Sequence, residues 1–162
     1  MGLVEMRAGG DVSISIDAPP EVAWALVADV TRIGELDTEC RRAEWIGGAS
    51  GPAVGVRFRG HNRVRRMRWS RRCEVLVCEP AREFTWQTLP RWFDSTIWRY
   101  RFEPDGNATR ASASYEIVKA PPRLLAAWAL RYMPHHADRR PDMRVTLESL
   151  KRAAEREAAQ RT

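Results

Sequence analysis

The stretch IDAPPEVAWALVADV, residues 16–30, decides how the chain folds. Just before it, apolar and polar residues alternate from Val12 to Ile16, which is the period of a half-buried strand. Two prolines then open a helix, with Glu21 placed in the first turn where a negative charge favours the helix dipole. The sequence therefore predicts a strand, a helix and a second short helix over residues 31–36 that is capped by Thr31.

A series of strands separated by turns is predicted from residue 43 to residue 118. Consecutive strands joined by short turns, such as the one at Pro104–Asn107, imply antiparallel hairpins. The positions predicted to face inward are Ala43, Trp45, Val54, Val56, Phe58, Trp69, Arg71, Cys73, Val75, Val77, Phe84, Trp86, Thr88, Thr96, Trp98, Tyr100, Phe102, Ala111, Ala113, Tyr115 and Ile117.

The C-terminal part has helical spacing over residues 123–133 and 141–159, with a break at Pro134-His135-His136. In the second helix an apolar stripe is formed by Met143, Leu147, Leu150 and Ala154. This helix is roughly 28 Å long and is the only long element available to cover one face of the sheet. The fold class is therefore α+β, with an antiparallel sheet around the C-terminal helix.

Length and composition favour one globular domain. The 162 residues are 44% hydrophobic and 30% charged, with a net charge of +6. No apolar run reaches the roughly 18–20 residues that span a bilayer, and the N-terminus has no leader pattern, so we predict a cytoplasmic protein. The three cysteines are odd in number and lack metal-ligand spacing, so reduced, structural thiols are expected.

Four strings resemble the START/Bet v 1-like (SRPBCC) superfamily, in particular its bacterial polyketide cyclase/dehydrase and lipid-transport group. They are residues 16–30, VGVRFRG (54–60), CEV with EP (73–75 and 79–80) and WRYRFEPDG (98–106). The resemblance covers residues 10–155 as a single domain and implies a helix-grip fold, with six to seven curved antiparallel strands wrapped around the C-terminal helix. Residues 1–9 and 156–162 are expected to be flexible termini.

The resemblance also implies a cavity between sheet and helix. Members of the superfamily bind lipids, sterols, polyketides or other apolar molecules, and some catalyse aromatic ring closure. We expect a hydrophobic small-molecule ligand and no cofactor. The residues predicted to contact it are Phe58, Asn62, Trp69, Arg71, Trp86, Trp98, Tyr100, Tyr115, Trp128, Met143, Leu147 and Leu150.

Aromatic side chains carry most of this ligand-binding hypothesis. An aromatic ring at any one of these positions can equally be a core residue. As a group, the indole and phenol rings have polar atoms that need partners when buried, which suits a partly wet pocket.

Arg71 interrupts an apolar face, and a buried guanidinium requires a polar or anionic partner. It either pairs with an internal carboxylate, orients a ligand, or is turned outward by a bulge. No nucleophile or nucleotide-binding motif is present in the sequence. Arg71, Tyr100 and Tyr115 are the candidates for acid–base catalysis if the chain is an enzyme.

Three further patterns have less specific interpretations. Residues 57–72 contain eight arginines and no acid, which a solvated outer sheet face explains better than nucleic-acid binding. Adjacent residues such as His135 and His136 cannot easily both point at one ion, and only Asp138 sits at ligand spacing, so an exposed interhelical break is predicted rather than a metal site. Arg91–Phe93 and Trp128–Met133 are predicted to cover the cavity mouth or to form a homodimer contact.

Three functions remain open at this point. The first is binding or transport of a hydrophobic molecule, lipid-like or aromatic. The second is a polyketide aromatase/cyclase that acts in the same cavity. The third is an interaction protein that uses its basic face.

Overall fold

The structure, a computed structural model, describes residues 6–90 and 94–162. Its elements, in chain order, are β1 (Gly9–Ile16), α1 (Pro20–Ala28), a 3-10 helix (Val30–Glu35), β2 (Cys40–Ile46), β3 (Arg57–Val64), β4 (Met67–Glu79), β5 (Glu83–Thr88), β6 (Ser95–Asp105), β7 (Ala108–Lys119), α2 (Arg123–Tyr132), a second 3-10 helix (Pro134–Ala137) and α3 (Arg140–Gln160). The predicted loop segment Arg91–Phe93 lies outside the described residues.

The strands form one seven-stranded antiparallel sheet in the order β1-β7-β6-β5-β4-β3-β2. Only β1 departs from sequence order, because it pairs with β7 along its whole length, from Gly9 opposite Glu116 to Ile16 opposite Thr109. This pairing leaves β1 and β2 at the two edges of a curved sheet, with α1 and the first 3-10 helix between them in sequence.

α3 lies against the concave side of the sheet and contacts β1, β7 and α1. The predicted stripe Met143, Leu147, Leu150 and Ala154 is fully buried there, with at most 3% of each residue exposed. Burying an apolar side chain of this size contributes about 1.5–3 kcal/mol. The α+β helix-grip prediction, with two short helices after the first strand, is confirmed.

Local details differ from the prediction in three places. The first 3-10 helix is capped by Asp29, whose carboxylate accepts hydrogen bonds from the backbone N–H and hydroxyl of Thr31. Val54 is 66% exposed, because Gly55, at φ 83°, turns the chain before β3 begins at Arg57. In β4 the alternation breaks at a register shift between Val75 and Val77.

The single domain over residues 10–155 stays a prediction. α3 continues to Gln160, and flexibility at residues 1–9 and 156–162 stays a prediction. Among the described residues, none of the helices is both long and apolar enough to cross a bilayer.

Candidate functional site

A cavity of about 180 Å³ lies between the sheet and the N-terminal part of α3. Its wall includes nine of the twelve residues predicted to contact a ligand. They are Phe58, Asn62, Trp69, Arg71, Trp86, Trp98, Tyr100, Tyr115 and Met143. The alternation of strand residues therefore brings them together, because every second side chain of β3 to β7 points to the concave face.

Aromatic rings in contact with one another form much of the cavity wall. Trp86 and Tyr100 stack nearly parallel, with ring centroids 5.5 Å apart and an interplanar angle of 7°. Phe58 meets Trp86 edge-on at 6.0 Å, and Trp98 lies 5.8 Å from Tyr115. Trp98 and Tyr115 are direct cross-strand partners, Trp86 and Tyr100 lie on adjacent strands, and Phe58 reaches Trp86 across β4. Such contacts hold the rings in place around the empty volume.

Three of the predicted contact residues lie elsewhere. Leu147 and Leu150 are completely buried in the core, and Leu150 borders only a second cavity of about 20 Å³. Trp128 is 54% exposed on α2, where its ring lies 5.1 Å from that of Tyr132. The structure does not bring Trp128 to the cavity wall.

Arg71 points inward, so of the alternatives left open by the sequence the outward turn does not occur, and an internal carboxylate is its partner. Its Nη1 donates to Asp94 Oδ1 at 2.7 Å, and its Nη2 donates to the carbonyls of Asp94 at 3.0 Å and Leu89 at 3.3 Å. Only 18% of the side chain is exposed. These bonds fix the guanidinium at the cavity wall. They leave one Nη1–H unused, and the buried Nε has no hydrogen-bond partner among the described residues.

The carboxylate of Glu39 contacts two imidazoles and one guanidinium at the same cavity. Its Oε2 lies 3.0 Å from His135 Nε2, 2.8 Å from His136 Nε2 and 3.1 Å from Arg139 Nη1. Burial alone raises the pKa of Glu39, but the bond from His136 and the charge of Arg139 outweigh it and lower the pKa to about 2. Both histidines are partly buried, which corrects the prediction of a solvent-exposed break.

Aromatic faces support this polar group. The ring of Trp69 meets that of His136 edge-on at 6.4 Å, and the Arg139 guanidinium carbon lies 5.6 Å from the centre of the Trp98 ring. The second contact is a cation–π interaction. The polar cluster is therefore continuous with the aromatic wall.

Asp37, Tyr100 and Tyr115 place further oxygen atoms at the cavity. Asp37 Oδ1 accepts the backbone N–H groups of Glu39 and Cys40, both at 2.7 Å, and burial raises its pKa. Burial also raises the pKa of Tyr100, whose hydroxyl has no hydrogen-bond partner among the described residues. The Tyr115 hydroxyl donates to the carbonyl of Arg7 at 3.3 Å.

The polar residues of this site, apart from Arg71 and Asn62, were not predicted from the sequence. The missed residues at the cavity wall include Asp37, Glu39, Asp94, His136, Arg139 and Asp142. Glu39 and the histidines are almost 100 positions apart, and no local spacing connects them. The one available signal was Arg71, an inward cation that required an acid somewhere nearby.

The outer face of the sheet carries the arginine-rich stretch. Seven of its eight arginines are exposed, and Arg71 is the exception. Two of them have short acidic or carbonyl partners: Arg57 pairs with Glu74 at 2.7 Å, and Arg63 Nε donates to the carbonyl of Arg65 at 3.2 Å. This exposure agrees with a solvated face.

A protein-family profile described as "Polyketide cyclase / dehydrase and lipid transport" matches residues 8–155. The chain belongs to this family. No curated protein sequence matches it. Family membership supports a role in binding a hydrophobic ligand or in cyclisation.

Solved structures share the fold. The Polyketide_cyc-like protein Cgl2372 from Corynebacterium glutamicum is 29% identical, with a TM-score of 0.56 over 91% of this chain and 89% of that one. TTHA0849 from Thermus thermophilus is 16% identical, with a TM-score of 0.68 over 93% and 99%. The di-domain ARO/CYC StfQ of the steffimycin biosynthetic pathway is 13% identical, with a TM-score of 0.70 over 94% of this chain and 52% of its own.

Proposed function

We propose that this protein binds a small hydrophobic molecule that contains one ring and one polar substituent. The observation that carries the proposal is the cavity of about 180 Å³ whose wall combines stacked aromatic rings with fixed polar groups. Family membership supports the same kind of ligand.

Volume sets the size of the ligand. An apolar cavity of about 150 Å³ is enough to hold benzene, whereas sites for drug-sized ligands span roughly 300–1,000 Å³. The cavity, at about 180 Å³, therefore matches a single ring with a short substituent. A longer molecule would have to extend out of the cavity mouth.

Arg71 and Tyr100 determine what the substituent should be. The Arg71 guanidinium is held by Asp94 and keeps an unused N–H, and the Tyr100 hydroxyl is unpaired among the described residues. Both groups can donate a hydrogen bond to a ligand oxygen. A hydroxyl, carbonyl or carboxylate on the ring would satisfy them, and an unsubstituted ring would not.

Adjacent arginines provide a matched test. Arg71 lies inside the cavity wall and Arg72 is exposed on the opposite face of the same strand. Binding of toluene, phenol and benzoate would be followed by ligand-observed NMR and by quenching of tryptophan fluorescence. We expect Arg71→Leu to weaken binding of phenol and benzoate about tenfold or more, with toluene little affected, and Arg72→Leu to change none of them.

Two results would reject the proposal. One is the failure of all three probes to bind, together with the absence of any small molecule in native mass spectra of the purified protein. The other is equal affinity of the wild type and Arg71→Leu for phenol and benzoate, which would remove the polar role of Arg71.

Ring closure of a poly-β-keto chain is a second candidate function. The observation that favours it is the Tyr100 hydroxyl at the cavity, which has no partner among the described residues, since a proton donor held beside a bound chain suits aldol-type ring closure. Turnover of a short poly-β-keto mimic by the wild type, abolished in Tyr100→Phe, would support this function. Binding of the mimic without any product would argue for a binding protein.

Lipid transport, a cytoplasmic location, a homodimer and interaction through the basic face stay predictions.

A further inference from the structure

Three metal-ligating side chains converge beside the cavity. One ring nitrogen of His135, one of His136 and a carboxylate oxygen of Glu39 all lie within 4.8 Å of one another. The histidines come from the 3-10 helix that precedes α3, and Glu39 comes from the residue just before β2. Glu39 and His136 also border the cavity, so the cluster opens towards it.

Two imidazoles and one carboxylate are a ligand set that zinc uses in proteins, with a fourth position left for water or substrate. At metal–ligand distances near 2.0–2.1 Å, tetrahedral donor atoms are about 3.3 Å apart. The two nitrogens now lie 3.0 and 2.8 Å from Glu39 Oε2. Each nitrogen would therefore have to move away from that oxygen by only a few tenths of an ångström to reach the spacing of a tetrahedral site.

Arg139 is the competitor for this site, because its Nη1 donates to the same Glu39 oxygen at 3.1 Å. It has a second carboxylate within reach. Its Nε lies 3.7 Å from Asp142 Oδ2, and both atoms are buried with no hydrogen-bond partner among the described residues. If the guanidinium moved from Glu39 to Asp142, it would satisfy both orphaned atoms and would free the Glu39 oxygen.

Local charge also favours a cation. Among the described residues at the cavity wall there are four carboxylates, from Asp37, Glu39, Asp94 and Asp142, against two guanidiniums, from Arg71 and Arg139. A divalent ion would reduce this excess of acidic groups.

We propose that Glu39, His135 and His136 bind a divalent transition-metal ion, preferably Zn²⁺, with the fourth coordination position open to the cavity. The ion would lie where it can bind an oxygen of a molecule held against the aromatic wall and polarise it. The proposal is independent of the identity of that molecule, since the ligand set belongs to the protein alone.

The experiment uses the full chain after dialysis against a chelator. Zn²⁺ binding is measured by isothermal titration calorimetry, and Co²⁺ is added as a spectroscopic probe because tetrahedral Co²⁺ absorbs strongly in the visible range. We expect one ion per chain. His135→Ala and His136→Ala should each weaken binding at least about 100-fold, since the loss of an outer-shell partner alone costs 10–100-fold.

His61 provides the matched control, because it is the only other histidine of the chain and pairs with Glu44 on the sheet. His61→Ala should bind Zn²⁺ and Co²⁺ like the wild type. Arg139→Ala should bind Zn²⁺ up to about tenfold more tightly, because a competing positive charge is removed. If the cluster of Glu39, His135 and His136 served only to stabilise the fold, Arg139→Ala would not tighten metal binding.

Several results would overturn the metal site. They are no stoichiometric binding of Zn²⁺ or Co²⁺ by the wild type, equal affinity in the two histidine variants, and loss of the Co²⁺ spectrum in His61→Ala. Circular dichroism of each variant, recorded without metal, separates loss of the ligand from loss of the fold.

Discussion

The two halves of α3 contact very different interiors. We call the region around Leu147–Ala154, with α1, β1 and the first residues of β7, the closed half. The region around Arg139–Thr146, with β3 to β6 and the rest of β7, is the open half. In the closed half Leu147, Leu150 and Ala154 have no exposed surface. In the open half Met143 and Thr146 border the cavity of about 180 Å³.

Side-chain size explains the difference. In the closed half small residues such as Ala23, Ala111 and Ala154 are completely buried, and they let α1, α3 and β7 approach closely. In the open half large rings contact each other in pairs across strands, Trp86 with Tyr100 and Trp98 with Tyr115, and leave space between the pairs. Close packing stabilises the first region, and the second region keeps a cavity at a cost in stability.

The largest expected effect is in the closed half. Leu147→Ala should lower the free energy of unfolding by about 2–5 kcal/mol, because it opens a new cavity in a filled interior. Met143→Ala in the open half should cost clearly less, since it widens a space that is already empty. Urea denaturation measures both, and Val145→Ala, at an exposed position of the same helix, should change stability by less than about 0.5 kcal/mol. Equal losses in Leu147→Ala and Met143→Ala would contradict the division of α3 into two halves.

Buried hydrogen bonds give the second contrast. Thr109 is fully buried near the start of β7, and its Oγ1 donates to the carbonyl of Ala18 at 2.6 Å. Thr109→Val would leave that carbonyl unpaired and should cost about 1–3 kcal/mol in thermal or urea unfolding. Thr96→Val is the matched change at the cavity wall, where the hydroxyl has no partner among the described residues, and it should be nearly neutral. A neutral Thr109→Val would show that the closed half does not depend on this bond.

The sequence predicts the closed half better than the open half. The spacing of Leu147, Leu150 and Ala154 defines a buried stripe directly, because helix periodicity and burial are both local properties. Strand alternation also places Trp86 and Tyr100 on the concave face. Both patterns are confirmed by the burial of these residues.

The open half depends on contacts between distant residues. The partner of His136 is Glu39, 97 positions away, and the partner of Arg71 is Asp94, 23 positions away. Neither pair has a spacing that marks it in the sequence. Trp128 was predicted to contact the ligand, but the residue is half exposed on α2 and does not reach the cavity wall. Whether an aromatic ring fills or lines a space is decided by tertiary packing, which periodicity does not encode.

Thr146 lies where the two halves meet, because it borders both the large and the small cavity. Thr146→Leu adds apolar volume to the empty space and should keep the free energy of unfolding unchanged or raise it by up to about 1 kcal/mol. The same change should weaken binding of toluene and phenol about tenfold or more, measured by ligand-observed NMR. Thr146→Ser is the control and should bind both probes like the wild type. Unchanged binding in Thr146→Leu would place the ligand outside this cavity.

The smallest expected effect on stability concerns Tyr100. Its ring is held by stacking on Trp86 at 5.5 Å, and its hydroxyl has no partner among the described residues. Tyr100→Phe keeps the ring, so the free energy of unfolding should change by less than about 0.5 kcal/mol in urea denaturation. Phenol should bind more weakly to this variant while toluene binds equally, because only phenol has an oxygen for the hydroxyl to contact. A loss of more than about 1 kcal/mol would instead show that the hydroxyl stabilises the fold, and the polar groups of the open half would then resemble those of the closed half.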